Sequence, residues 1–147
     1  MVRYLRQVMK SFVIGSFLLV SLWGCASKKP AKPGLLVPMS YFYAASALAV
    51  DDFGRAREFL KALASESSGD LKTQAQAAAA VSDIAAMRAL FKGLTEAIVV
   101  NMSYPDDYAV AFCPMYKNGS KWIQKRESPI ANPYFGKSMP SCGSFVD

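Results

Sequence analysis

IAAMRALFKGLTEAIVV, residues 84–100, decides the fold of this 147-residue chain. Ile84, Met87, Phe91, Leu94 and Ile98 recur at alternating spacings of three and four, which lines one face of a helix with apolar side chains. The run QAQAAAAV (74–81) just upstream has high helix propensity and little side-chain bulk. Together they predict one long helix from Leu71 to about Val100, with Gly93 as an interruption. Working outward, Phe53, Ala56, Leu60 and Leu63 form a second apolar stripe, with Arg55, Arg57, Glu58 and Lys61 opposite. Asp51 or Asp52 can cap that helix. SESSGD (65–70) reads as a turn, with Asp70 as the next N-cap. PMSYFYAASALAV (38–50) is a further Ala-rich helix, opened by Pro38. The expected fold is mainly α: an antiparallel bundle of three to four helices, then a small irregular lobe with a short β-hairpin.

Composition narrows what such a fold does. The hydrophobic fraction of 52% and charged fraction of 19% suit a packed domain rather than a disordered tail. The chain has no histidine. A Ser-His-Asp triad, a Cys-His dyad and a histidine-ligated zinc or haem are therefore excluded. Three cysteines and seven methionines remain as soft donors. Glu96, Asp106 and Asp107 suggest no acid–base pair, and there is no CxxC, so no enzyme is expected.

The first residues read as an address. Arg3, Arg6 and Lys10 precede a 14-residue apolar run, SFVIGSFLLVSLWG (11–24), that is shorter than the ~20 residues of a membrane-spanning helix. Cys25 follows Leu22-Trp23-Gly24, which resembles a lipoprotein cleavage box. The expectation is a signal peptide at 1–24, lipidation at Cys25, and a lipid anchor with a flexible tether at 25–37. Trp23 departs from the usual small residue. An ordinary secreted protein and an uncleaved anchor are the alternatives. Ala26 resembles the sorting signal of an outer-membrane lipoprotein, on the periplasmic face of a Gram-negative envelope. Removing residues 1–24 takes away three of the 17 basic residues and none of the 11 acidic ones, leaving net +3. That is too weak for a nucleic-acid footprint, and Lys28, Lys29 and Lys32 of the tether supply much of it. The expected partner is the membrane, through the anchor, and residues 38–147 form the single domain.

The candidate chemistry lies after SYPDD (103–107). Residues 108–113 are β-like, and Asn118-Gly119 favours a hairpin turn returning through Lys121–Gln124. Cys113 and Met115, two apart, share a face if the chain is extended. Met139 and Cys142, three apart, are neighbours on a helical turn. If the pieces meet, two thiolates and two thioethers converge. Soft Cu(I) or Ag(I) fits that set better than Mg²⁺, Ca²⁺ or zinc. Trp122, Tyr134 or Phe135 can face a bound cation, and Asn132 and Gly136 shape the turn carrying Met139. The alternative stays open: in an oxidising envelope Cys113 and Cys142 are natural disulfide partners. Such a bridge would stabilise the lobe by ~3–4 kcal/mol, leave Met115 and Met139 as core, and make a non-metal interaction module.

The string CPM (113–115), then Trp122, NPYFGKSM (132–139) and CG (142–143) resembles a domain family of unknown function. That family is fused to the C-terminus of CusB-type copper/silver efflux adaptors and also occurs alone in secreted bacterial proteins. ALAVDD (47–52) and RALFKGLT (88–95) match two further phrases of it, so the resemblance covers about 38–145. Ile123, Pro140 and Ser141 depart from the pattern, as does the lack of histidine. The resemblance implies a periplasmic heavy-metal-associated domain, a copper binder or an accessory of a heavy-metal efflux complex.

Overall fold

The computed structural model describes residues 34–146. The expected signal peptide, the lipidated Cys25 and the tether up to residue 33 lie outside them. Within them the fold is mainly α with a small antiparallel sheet. Four helices come first: α1 (Met39–Ala49), α2 (Phe53–Glu66), α3 (Gly69–Ala80) and α4 (Ile84–Asn101). Strands β1 (Tyr108–Cys113), β2 (Ser120–Lys125) and β3 (Ser144–Phe145) follow, with a 3₁₀ turn at Gly136–Ser138.

The helix ends follow their capping chemistry. The Asp52 side chain accepts from the Arg55 amide at 3.0 Å and starts α2. The expected single helix 71–100 is two helices, because Asp83 takes an extended backbone and accepts from the Ala86 amide at 2.8 Å. The break frees the Val81 carbonyl, which accepts from Arg57 at 2.7 Å. Gly93 does not interrupt: it lies inside α4, and a Cβ there would meet nothing within 4 Å. Asp70 sits in the first turn of α3 rather than at its N-cap, which is Ser68.

The seam residues Met87, Phe91, Leu94 and Ile98 are buried as the spacing requires, and Ile84 is partly so. Ala75, Ala78 and Ala79 of the alanine run are buried too, and their small size lets α3 lie close against α2 and α4. Residues 35–37, assigned by sequence to the tether, join the folded domain. Val37 is 2% exposed and its amide donates to the Ser103 carbonyl at 2.8 Å, beside a parallel bridge between Leu36 and Ser103.

The sheet order is β2-β1-β3, with Ala111 opposite both Trp122 and Phe145. The hairpin matches expectation, and Lys117, Asn118 and Gly119 carry the positive φ of its turn. Two-residue β3 carries too short a pattern to read from sequence. Helices α1 and α4 cover β2. The Tyr41 hydroxyl joins these layers: it accepts from the Ile123 amide of β2 at 3.2 Å and shares a hydrogen bond with Thr95 Oγ1 of α4, also 3.2 Å. An otherwise open edge amide is thereby satisfied.

Burial pushes the Tyr41 hydroxyl up to about 12 and that of Tyr134 also upward. A raised folded-state pKa adds stability that is complete below the unfolded tyrosine value and lost as pH rises through the folded one. Urea unfolding is therefore expected to weaken between about pH 10 and pH 12. Tyr41 alone accounts for about 3 kcal/mol, and Tyr41→Phe should flatten that part of the curve. A flat urea midpoint from pH 9 to 12 would contradict it.

Candidate functional site

The C-terminal lobe is built around two polar links, one of them fully buried. Asn132 is fully buried, and no sequence pattern requires that. Its Oδ1 accepts from the amides of Tyr134 at 2.8 Å and Phe135 at 3.2 Å. Its Nδ2 donates to the Cys142 carbonyl at 2.7 Å, and its own amide donates to Pro140 O at 2.8 Å. One side chain thus closes the loop 132–142 and fixes the backbone that carries the second cysteine.

The other link is Arg88 on α4. Its Nε donates to Pro133 O at 2.8 Å and its Nη2 to Leu48 O at 2.7 Å, while Nη2 also pairs with the Asp51 carboxylate. Asp51 takes φ 60°, a left-handed value that aspartate tolerates, and its Oδ2 accepts from the Lys137 amide at 3.2 Å. Hydrogen bonding from Arg88 holds the Asp51 carboxyl below its ordinary range. This ion pair thus persists at neutral pH and is lost only as acid titrates that lowered carboxyl. Gly136 has φ 56°, and a Cβ there would run into both Asp51 and Arg88. This gives Gly136 its role in shaping the turn. The phrases ALAVDD and RALFKGLT contain Asp51 and Arg88, but nothing in either shows that they meet.

These links bring Cys113 and Cys142 together. Cys113 ends β1 fully buried, and Cys142 precedes β3 half-buried. No disulfide joins them in this structure, and their sulfurs lie 2.7 Å apart across 29 positions. The Cys113 sulfur pushes the Cys142 thiol up, with burial adding to it. Gly143, at φ 132°, permits the approach. A Cβ there would stand 2.6 Å from the Trp122 ring and 2.8 Å from the Phe112 carbonyl.

The thioethers are placed differently. The strand ends at Cys113, and Pro114-Met115 turn away, so Met115 does not share the strand face as its spacing suggested. It is 65% exposed. Met139 is half-buried, and the Cys142 amide donates to its carbonyl at 3.3 Å, the turn expected of that spacing.

The aromatic residues pack mainly on one another. Trp122 is fully buried, donates to Gln124 Oε1 at 2.8 Å and meets the Tyr134 ring edge-on at 6.2 Å. Tyr134 donates to the Lys121 carbonyl and stacks on Tyr116 at 4.9 Å; Tyr116 in turn meets Phe135 edge-on at 5.5 Å. Sequence reasoning missed Tyr116, Gln124, Asp51 and Arg88.

Among the described residues, no group of three or more His, Cys, Asp or Glu side chains gathers as a metal site. The soft donors that do gather are the two thiols of Cys113 and Cys142. Two thiols are soft donors, the kind that Cu(I) and Ag(I) prefer. In spacing the fit requires movement. Two thiolates each ~2.3 Å from one ion stand roughly 4 Å apart, whereas these sulfurs are 2.7 Å apart. Comparison with known protein families, curated proteins and solved structures finds no match to this chain.

Proposed function

We propose that this chain is a lipid-anchored binding protein of the Gram-negative periplasm, and that its Cys113–Cys142 pair takes up Cu(I) or Ag(I). In this reading it is a metal buffer or an accessory of a heavy-metal efflux complex and not an enzyme. The observation that carries it is the convergence of the two thiols at the end of the hairpin. Helices α1–α4, joined by short connections, serve as an antiparallel bundle supporting this lobe. The ion enters as half-buried Cys142 moves outward, and thiol protons leave as the thiolates form. Met139, one turn from Cys142, and Met115, on the hairpin rim, supply the thioethers. Trp122, Asn132, Tyr134, Phe135 and Gly136 hold the lobe around them.

The test is titration of the reduced full chain with Cu(I) against a competing chelator. Tight one-to-one binding is expected, falling at least ~100-fold in Cys113→Ser/Cys142→Ser. Affinity no better than micromolar, or unchanged in the double variant, would overturn the reading.

One observation favours a second reading. A 2.7 Å separation is below what two thiolates need around one ion and suits a pair that oxidises to a disulfide. The chain would then be a disulfide-stapled, non-metal interaction module. Intact mass without reductant separates the two: a deficit of about 2 Da with no bound metal supports the staple.

A further inference from the structure

The domain's first residues and the end of α4 form one corner. Gly34 runs beside Asn101 and Met102, the Ser103 amide donates to Leu35 O at 3.2 Å, and Val37 donates back to Ser103 O at 2.8 Å. This corner exposes large apolar side chains that the core leaves out. Leu35 is 70% exposed, Leu36 58%, Val100 70% and Met39, opening α1, 46%. Scattered apolar residues need no explanation, but four on elements that meet at one corner do.

The chain itself indicates what covers them. Cys25 stands nine positions before Gly34. Fully extended, that stretch spans at most about 30 Å. An anchor at Cys25 would therefore keep this corner within about 30 Å of the bilayer. Lys28, Lys29 and Lys32 lie within the same stretch, and anionic headgroups attract such residues. Two exposed acids, Asp106 and Asp107, follow α4, and Asp107 pairs at the surface with Lys125 at 3.7 Å.

We infer that the Leu35–Leu36–Val100 corner rests in the headgroup region of the membrane and fixes the orientation of the domain. The inference rests on the lipid-anchor reading. It gives the dithiol a direction. Strand β1 starts at Tyr108, whose ring packs on Phe42 near the start of α1, 4.2 Å between centroids. It carries Cys113 roughly 17 Å further along. The thiol pair then points into the aqueous phase, where an ion or a soluble partner reaches it.

The test uses the full chain purified from bacterial membranes and reconstituted into phosphatidylethanolamine/phosphatidylglycerol vesicles containing brominated lipid. Leu35→Trp reports the corner, with Leu36→Trp as a second reporter. Ser82→Trp, at the other end of α4 about 27 Å away, is the control. Tryptophan emission is read above that of the unsubstituted chain. The expected result is quenching of the Leu35 and Leu36 reporters about twofold greater than that of the Ser82 reporter. A chain that floats with the vesicles but shows equal quenching would overturn the orientation alone; that outcome includes a corner covered by a protein partner. A chain that fails to float would overturn the anchor and the orientation with it.

Discussion

Asn132→Asp is expected to destabilise the domain by about 3–5 kcal/mol at neutral pH. The side chain is fully buried and works as both acceptor and donor. Aspartate keeps the acceptor for the Tyr134 and Phe135 amides but loses the donor to the Cys142 carbonyl, now 2.7 Å away. A carboxylate facing that carbonyl is repelled, and protonating it to restore a donor costs free energy at pH 7. Asn132→Ala should cost about 3 kcal/mol, because two loop amides and one carbonyl lose their partner. Both variants release the segment that positions Cys142. Urea unfolding should show the loss, and the two thiols should react faster with a thiol reagent. A midpoint within about 1 kcal/mol of the parent would contradict this role.

Arg88→Ala is the second large effect, at about 3 kcal/mol. Arg88 is 11% exposed, and its guanidinium bonds the carbonyls of Leu48 and Pro133. Those two charge-assisted bonds account for the figure. The half-exposed Asp51 carboxylate is left out of it. Arg88→Lys should recover little, since one ammonium cannot span acceptors on α1, the loop after β2 and the Asp51 turn. The expected signature is local: protease cleavage within 132–140 before global unfolding. Equal protease resistance in the parent and Arg88→Ala would contradict it.

Both effects arise where the sequence is least informative. The seam from Ile84 to Ile98 and the stripe from Phe53 to Leu63 were legible because each repeats with the helix period. The Asn-Gly hairpin was legible from its turn chemistry. The α3–α4 break was not: the alanine run and the seam share one helical pattern, and the capping signal is a single residue, Asp83. Arg88 bonds partners 37 to 45 positions away, and such links leave no local pattern. Asn132 reads as a turn former, yet its work is done by burial. For the candidate site, chemistry was legible and geometry only in part. Cys113 and Cys142 stood out as the two thiols of the lobe, and the fold brings them together. Met115 followed from strand spacing that Pro114 ends one residue too early.

The proposed soft-metal site is the histidine-free dithiol of Cys113 and Cys142. It is tested most directly by copper-edge X-ray absorption of the reduced full chain loaded anaerobically with one equivalent of Cu(I). The expected spectrum has only sulfur neighbours, two or three of them, and loses that signature in Cys113→Ser/Cys142→Ser. A first shell of oxygen or nitrogen, or copper that washes off the reduced protein, would contradict the claim.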